Sequence, residues 1–375
     1  MTVLLIPDKF KGSLTAIEVI AALTKGIKRA DNKIDILQVI ASDGGDGFLD
    51  AIRHTMDVEE ISCSTVDPLG RKIRADYVFN KYKDEAFLEL AKASGMELLK
   101  EGERNPMITS TLGTGLQIRD AIERGAKKIY IGLGGSATND GGIGIAQALG
   151  YKFLDVAQNI LVPSGESLQK IHTIDASGVH KDLKHVEIFA VNDVDNTLYG
   201  SKGAAFVYAK QKGASSKDIE LLNDGLKCLD RVVVQQIGKN NAQVPGSGAA
   251  GGAAYGIKTF LGGTFVSGIN FMLQHADMDS VLKNEKIGLI ITGEGKIDAQ
   301  TFSGKLIHGV LELGNTHSIP VLAICGTLEL DKGICLENGL HEVLEIRDPS
   351  KPLSFNMQNA GALIEKSIFQ FMSSP

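Results

Sequence analysis

Both ends of the chain show the same hydrophobic pattern, in which short apolar runs alternate with amphipathic segments. Residues 3–6 are apolar throughout, and the apolar residues within 16–27 are spaced three or four apart. These two patterns predict a buried strand followed by a helix. Residues 34–41 and 48–54 repeat the order, and a β-α-β-α succession is typical of a parallel sheet.

The middle of the chain has a different pattern, which predicts antiparallel strands and longer helices. Strand-like segments lie between residues 61 and 90, with a turn at 67–70. Helical spacing covers 113–124 and 216–233, and the apolar stripe of the second segment is typical of a core-facing helix. This part of the chain is therefore expected to form a mixed α+β domain.

Alternating strands and helices return near residue 287. Strands are predicted at 287–292, 321–325 and 343–346, and helices at 306–313 and 357–371. We therefore expect a discontinuous, doubly wound α/β domain with a parallel sheet, built from residues 1–61 and 285–375. Residues 62–284 would be an inserted α+β domain, and the active site would lie in the cleft between the two domains.

Composition and charge narrow the class of protein. The 375 residues include 43 glycines but only 9 prolines, and the glycines are clustered, as in ligand-binding loops. The formal net charge is −6 and no basic block occurs, which argues against nucleic acid or an anionic membrane as partner. Tryptophan is absent, so a base-stacking surface is not expected either.

The cysteines and the N-terminus favour a cytoplasmic protein. The four cysteines show no C-x-x-C spacing, which indicates neither a zinc site nor a disulfide framework. The first apolar run is too short for a signal peptide, and no run approaches the length of a membrane span. A homo-oligomer is compatible with the sequence.

The glycine-rich segment 132–144 connects a predicted strand to a predicted helix. Such a turn leaves backbone N–H groups at a helix N-terminus, where a phosphate or carboxylate binds favourably. Ser136, Thr138, Asn139 and Asp140 add polar side chains that suit an anion or a metal. The alternative is a tight strand-to-helix turn that carries its own cap.

Acidic residues follow four of the predicted strands. In an open α/β sheet, ligands bind beyond the carboxyl ends of the strands. Carboxylates there suit Mg²⁺ or proton transfer, and nearby lysines suit phosphate or carboxylate groups, as phosphoryl transfer requires. The acids are Asp8, Asp43, Asp46, Asp193, Asp195, Glu294 and Asp298, and the lysines are Lys9, Lys11, Lys296 and Lys305.

Motif tests leave a second enzyme class open. The segment before Lys305 does not fit a Walker A loop, and no G-x-S-x-G elbow occurs. The turn from Gly132 to Ala137 nearly fits a dinucleotide-binding motif, with Asp155 at the expected distance for a ribose contact. An NAD(P)-dependent oxidoreductase is therefore an alternative to a kinase, and a non-catalytic nucleotide-binding sensor is another.

Six segments, in this order, resemble the bacterial class I glycerate kinase family. They are 7–14 (PDKFKGSL), 42–47 (SDGGDG), 132–144 (GLGGSATNDGGIG), 192–196 (NDVDN), 245–252 (PGSGAAGG) and 291–300 (ITGEGKIDAQ). The resemblance implies ATP-dependent phosphorylation of D-glycerate with Mg²⁺, at the 2-hydroxyl. It also implies a flavodoxin-like domain with a smaller inserted domain.

Four positions depart from the family pattern. Lys9 replaces a serine, Asp46 a glutamate and Lys296 an arginine, and Thr197 stands where proline is frequent. Asp46 is shorter than glutamate by one methylene. Lys296 keeps the positive charge but lacks the bidentate fork of arginine.

The motifs and the resemblance together give a set of candidate site residues. The glycine turn and the Lys305 region would hold the ATP phosphates, the acids would supply the metal site and the base, and a lysine would meet the glycerate carboxylate. The set comprises catalytic Asp193, Asp43, Lys11 and Asp298; ATP-binding Gly134, Gly135, Ser136, Thr138, Asn139, Gly293, Glu294 and Lys305; substrate-binding Lys9, Lys11, Lys296 and Ser13; and metal-binding Asp43, Asp46 and Asp193.

Overall fold

The computed structural model describes residues 1–40, 44–45, 47–299, 301–302 and 306–373, without the side chain of Asp279. Contacts divide the chain into two compact units: unit 1 comprises 1–42 and 268–375, and unit 2 comprises 43–267. The domain boundaries expected from the sequence stay a prediction.

The N-terminal part of unit 1 forms the predicted strand–helix–strand. Its elements are β1 (Thr2–Pro7), α1 (Ala16–Ala30) and β2 (Asp35–Gln38). Thr15 caps α1 by accepting a bond from the Glu18 N–H, and the Glu18 carboxylate accepts from the Thr15 N–H, so the two residues form a capping box. Such a cap stabilises a helix by about 1 kcal/mol.

Unit 2 contains helices on a mixed sheet. The sequence predicted several of these elements but not the short strands Lys152–Leu154, Thr173–Asp175 and Thr264–Val266 or the helices Ala91–Ser94, Ala204–Tyr208 and Ala249–Phe260. The elements are α2 (Phe48–Thr55), β3 (Glu59–Val66), β4 (Lys72–Asn80), β5 (Glu85–Glu89), α3 (Ala91–Ser94), α4 (Leu112–Glu123), β6 (Lys128–Gly132), α5 (Ile143–Ala148), β7 (Lys152–Leu154), β8 (Thr173–Asp175), β9 (Glu187–Val191), α6 (Ala204–Tyr208), α7 (Ser216–Ile237), α8 (Ala249–Phe260) and β10 (Thr264–Val266).

The remaining elements complete unit 1. They are α9 (Gly268–His275), α10 (Met278–Asn284), β11 (Ile287–Ile297), α11 (Leu306–His317), β12 (Val321–Leu328), α12 (Lys332–Glu337), β13 (Glu342–Glu345), α13 (Leu353–Gln358) and α14 (Ala360–Ser373). The predicted last helix, 357–371, is confirmed as α14, but it begins at Ala360, because the separate helix α13 ends at Gln358.

The sheet of unit 1 is parallel throughout. Its order is β13-β12-β11-β1-β2, so the first strand of the chain pairs with a strand near its end. Residues Val3 to Pro7 of β1 are all buried, as expected for a strand covered on both faces. Side chains of β1 alternate between two apolar cores, Leu4 in one and Leu5 in the other.

Strand β11 is longer than the sequence predicted, and this changes the place of two candidate residues. The predicted strand ends at residue 292, but β11 continues to Ile297 because it pairs with β12 along that length. Lys296 lies opposite Thr327 in this pairing. Glu294 and Lys296 are therefore strand residues, and the prediction that they belong to an exit turn is wrong.

The sheet of unit 2 combines parallel and antiparallel pairs. Its order is β10-β9-β6-β5-β4-β3, with antiparallel pairs only where β3, β4 and β5 meet. The predicted antiparallel segment around residues 61–90 is thus confirmed. Side chains of neighbouring strands stack, with ring centroids 5.3 Å apart for Phe87 and Tyr130 and 4.7 Å apart for Tyr130 and Phe189.

A single large apolar core fills unit 2. Helix α7 contributes the predicted stripe of Leu222, Leu226, Leu229 and Val233, all fully buried, so its core-facing role is confirmed. An α/β protein with parallel sheets is confirmed as the general fold class. Within the described ranges, no helix is both long and apolar enough to traverse a bilayer.

Candidate active site

The candidate residues fall into two groups, one in each unit. Segments 132–144, 192–196 and 245–252, with the described residues of 42–47, belong to unit 2. Segments 7–14 and 291–300 belong to unit 1. Asp43, Asp46 and Lys305 lie outside the described residues.

In unit 2, backbone contacts join the ends of two neighbouring parallel strands to the turn before α2. Beyond β6, the Leu133 N–H donates to the Val191 carbonyl at the end of β9, at 3.2 Å. The Gly134 N–H donates to the Gly44 carbonyl at 3.0 Å. A Cβ on Gly134 would lie 2.1 Å from the Gly45 Cα, so only glycine allows this approach.

The glycine-rich segment 245–252 packs against segments 132–144 and 192–196. The Gly141 N–H donates to the Gly251 carbonyl at 3.1 Å, and the Gly248 N–H donates to the Asn196 carbonyl at 2.8 Å. Gly251 has a φ of +67°, and a Cβ there would lie 2.0 Å from the Thr138 carbonyl oxygen. Three segments that are far apart in sequence therefore form one cluster in unit 2.

Asp140 holds the turn and occupies the start of α5. Its buried carboxylate accepts from the Thr111 N–H and hydroxyl, both at 2.8 Å, and from the N–H groups of Gly142 and Gly144, at 3.0 and 3.3 Å. Burial raises the pKa of Asp140, while these hydrogen bonds oppose the rise. The N–H groups of Gly142 and Gly144 are thus engaged by the turn's own cap.

Lys212 is a buried cation that the sequence did not single out. Its Nζ donates to the Ser136 hydroxyl and to the Thr138 carbonyl, both at 2.7 Å. Burial lowers the pKa of Lys212 to about 7, and the negative charge of Asp140 opposes this shift. No motif contains Lys212, so only the folded chain shows that it belongs to the turn.

The candidate ATP-binding residues differ in accessibility. Gly134 and Gly135 are half-buried, whereas Ser136, Thr138 and Asn139 are buried. The side-chain amide atoms of Asn139 and the Thr138 hydroxyl are buried and have no hydrogen-bond partner among the residues that the structure describes. The accessible part of the turn is therefore Gly134–Gly135, where Gly135 adopts a φ of +68°.

Asp193 follows β9 in the same cluster. It is half-buried, and Asn192 before it shapes the turn by accepting the Val194 N–H at 3.3 Å. Outside the undescribed positions, no three His, Cys, Asp or Glu side chains lie close enough to hold a metal.

In unit 1, the segment after β1 lies against β11. The Asp8 N–H donates to the Gly293 carbonyl at 2.8 Å, and the Asp8 carboxylate accepts the Lys9 N–H at 2.7 Å. Lys11 is exposed. The Ser13 hydroxyl donates to the Met357 carbonyl at 2.6 Å and thereby ties the segment to α13.

The residues near the end of β11 are linked to each other. Lys296 contacts the carboxylates of Asp298 at 3.2 Å and Glu329 at 3.1 Å, and the Glu329 bond, followed by that to Asp298, raises the pKa of Lys296. The buried Thr301 donates its hydroxyl to Glu294 at 2.6 Å and accepts the Asp298 N–H at 3.0 Å. Unit 1 thus brings together the candidates Asp8, Gly293, Glu294, Lys296 and Asp298.

The dinucleotide-type features do not combine in the structure. Asp155, the expected ribose ligand, accepts the N–H groups of Ala157 and Asn159 at 2.8 and 2.9 Å within its own turn. Helix α5 begins at Ile143, six residues beyond Ala137, so the glycine motif does not open directly into a helix as a dinucleotide fold requires. Asp155 is therefore a turn residue.

The chain matches a known family over nearly its whole length. The model of the "Glycerate kinase family" matches residues 3–374. A glycerate kinase of Bacillus cereus is 39% identical over 92% of this chain and 90% of its own length. The glycerate 2-kinase of Escherichia coli is 36% identical over the same shares, 92% and 90%.

A solved structure agrees with these sequence matches. The crystal structure of a protein assigned as glycerate kinase 2 from Salmonella typhimurium superposes with a TM-score of 0.84. It is 32% identical to this chain and covers 100% of it and 97% of its own chain. The family resemblance expected from the six segments is thus confirmed, and the chain belongs to the glycerate kinase family, a family of kinase enzymes.

Proposed function

We propose that the protein transfers the γ-phosphoryl group of ATP to the 2-hydroxyl of D-glycerate and so gives 2-phosphoglycerate and ADP. The relative from Escherichia coli bears the name glycerate 2-kinase, which supports the choice of hydroxyl. The proposal is supported chiefly by the backbone hydrogen bonds from the turn around Gly134 to the carbonyls of Gly44 and Val191. This contact brings three segments of the family pattern to the carboxyl ends of parallel strands.

In unit 2, we assign the phosphates and the metal. Gly134 and Gly135 are accessible and approach the phosphates through their backbone, while the buried Ser136, Thr138 and Asn139 hold the shape of the turn. Asp193, together with Asp43 and Asp46, supplies the base and the ligands of Mg²⁺. A bound Mg²⁺ would neutralise charge on the phosphates, as in other phosphoryl transfers.

In unit 1, we propose that the lysines of the segment after β1 bind the carboxylate of D-glycerate. Lys9 or Lys11 meets the carboxylate, with Ser13 fixing the segment to α13. Lys296 is a weaker candidate, because two carboxylates already share its charge. The remaining residues proposed to bind ATP are Gly293, Glu294 and Lys305, and Asp298 is proposed as a further catalytic residue.

We also propose that unit 1 is a flavodoxin-like domain. Numbered within the unit, its five strands have the order 2-1-3-4-5, which is the order of that fold. A cytoplasmic location and a homo-oligomeric state stay predictions. The oxidoreductase and sensor alternatives are set aside, because the chain belongs to a kinase family.

Phosphorus NMR of the reaction mixture tests the proposed reaction directly. With ATP, MgCl₂ and D-glycerate, the expected products are ADP and 2-phosphoglycerate. A mixture with EDTA in excess over magnesium is expected to give neither product. Formation of 3-phosphoglycerate would overturn the choice of hydroxyl, and no phosphorylated product with folded protein would overturn the reaction.

A further inference from the structure

Unit 1 contains a cavity of about 260 Å³ at the carboxyl end of its parallel sheet. Its walls come from the segment after β1, from the ends of β12 and β13, and from α13 and the start of α14. The volume lies just below the range of roughly 300–1,000 Å³ that is usual for small-molecule sites.

The inner wall of the cavity is apolar. Phe10, Ile346 and Ala360 line it and are buried, and Leu353 stands at its edge with 60% of its surface exposed. Two polar lining groups are already engaged. Ser13 donates to the Met357 carbonyl, and the Asn356 side chain bonds backbone groups of 348–352.

The accessible charge at the cavity is positive. Lys11 and Arg347 line it, both are exposed, and neither side chain has an ion pair or hydrogen bond with another described residue. The described lining contains no Asp or Glu. A ligand that suits the cavity therefore has an apolar body and an anionic end, since arginine and lysine both bind phosphate oxygens favourably.

We propose that this cavity binds the nucleoside part of the phosphoryl donor. The base lies against the wall formed by Phe10, Ile346 and Ala360, and the phosphates face Lys11 and Arg347, which leaves the glycerate carboxylate to Lys9. The inference rests on the proposed function insofar as that function makes ATP the donor. Glycerate would leave the apolar wall uncovered, because its polar groups would lose hydrogen bonds to water against that wall.

A tryptophan reporter tests occupancy without any need for turnover. The chain has no tryptophan, so Leu353→Trp places a single indole at the edge of the cavity. ADP and adenosine are expected to change its fluorescence saturably, whereas inorganic triphosphate and D-glycerate are not. The matched control is Leu336→Trp on α12, which is 40% exposed and lies outside the lining.

The reporter experiment has clear opposing results. An equal response to inorganic triphosphate would mean that only an anion is recognised, and the proposal would be wrong. A response to D-glycerate alone would assign the cavity to the acid and would overturn the proposal as well. A response of the Leu336→Trp control equal to that of Leu353→Trp would show a general effect and would also count against the site.

Steady-state kinetics test the role of the positive charge of Arg347 at the opening of the cavity. Arg347→Ala is expected to raise KM for ATP about tenfold, as loss of one charged hydrogen bond does, with KM for D-glycerate unchanged. The control is Lys25→Ala, an exposed lysine of α1 outside the lining, which is expected to leave both constants unchanged. A rise confined to KM for glycerate would overturn the proposal.

The two experiments separate this inference from the proposed reaction. If the wild type forms 2-phosphoglycerate while the reporter is silent and Arg347→Ala is neutral, the cavity assignment is wrong and the reaction stands. If no product forms from glycerate while ADP still changes the Leu353→Trp signal, the reaction is wrong and the nucleoside site stands.

Discussion

The ammonium group of Lys212 donates to the Ser136 hydroxyl at 2.7 Å, from a position that is almost fully buried. The same group bonds the Thr138 carbonyl, so one cation fixes two points of the glycine-rich turn. Water cannot replace these bonds easily at a buried site, and the charge there has a solvation cost. The turn therefore has a pH-sensitive support.

Lys212 is expected to make stability increase with pH above neutrality. Burial lowers the pKa of Lys212 to about 7, so between that pH and the ordinary lysine pKa the unfolded chain holds a proton that the folded chain lacks. The contribution of Lys212 to the free energy of unfolding then rises by up to about 1.4 kcal/mol per pH unit, and it is smallest below pH 7. The measurement is the free energy of unfolding in urea at pH 7 and pH 9 for the wild type and Lys212→Met.

The free energy of unfolding of the wild type should rise relative to that of Lys212→Met as the pH rises, because the variant lacks the titrating group. Lys210→Met removes an exposed lysine two residues earlier and should show no such pH-dependent difference. A constant difference between wild type and Lys212→Met over this range would contradict the lowered pKa.

Asp140→Asn is expected to destabilise the protein by about 3 kcal/mol. The amide would present N–H groups to a site where four donors already point at the carboxylate. A buried donor without an acceptor costs free energy of this order, as does the loss of charged hydrogen bonds. Chemical denaturation measures the effect, with the exposed Asp57→Asn as a control that should stay near wild type. Equal stability of the two variants would mean that Asp140 does not hold the turn.

Gly134→Ala is expected to reduce turnover about tenfold to a hundredfold while the protein stays folded. The added methyl group would lie 2.1 Å from the Gly45 Cα, so the turn before α2 must move, and small displacements of this kind impair catalysis. The assay is kcat for glycerate phosphorylation, beside a circular dichroism melt. Gly102→Ala is the control, because a Cβ there meets no atom within 4 Å. Wild-type turnover in Gly134→Ala would show that this contact is dispensable.

Asp193→Asn is expected to reduce kcat by about 10²- to 10⁴-fold, because a base or metal ligand is lost while size is kept. Asp43→Asn is expected to reduce kcat by a similar factor. Asp195→Asn, two residues further and exposed, should retain most of the activity. Single-turnover rates separate chemistry from product release. Near-native turnover of folded Asp193→Asn and Asp43→Asn would remove both residues from the proposed mechanism.

The sequence predicted the elements whose signals are local. The spacing within 16–27 and the Thr15–Glu18 pair define α1 from a few neighbouring residues. The length of β11 escaped prediction, because the glycines in 293–297 resemble a turn and only pairing with β12 keeps them extended. Strand ends are thus decided by partners that lie elsewhere in the chain.

The candidate site was predictable in its segments but not in its internal contacts. Asp140 carried a signal, since it lies within the glycine motif, yet its bonds to Thr111 come from a distant segment. Lys212 carried no signal, because a lysine between polar neighbours looks like a solvated residue. Its role depends on tertiary packing that brings it 2.7 Å from Ser136.

The pairing of β1 with β11 has a consequence for the order of events at the ribosome. Residues 43–267 form a contiguous body and are complete before β11 is synthesised, so their core can close early. The first strand emerges first but waits for residue 287 and beyond before it gains its neighbour on that side. During translation this apolar strand therefore lacks its β11 neighbour until the residues from 287 onward have been synthesised.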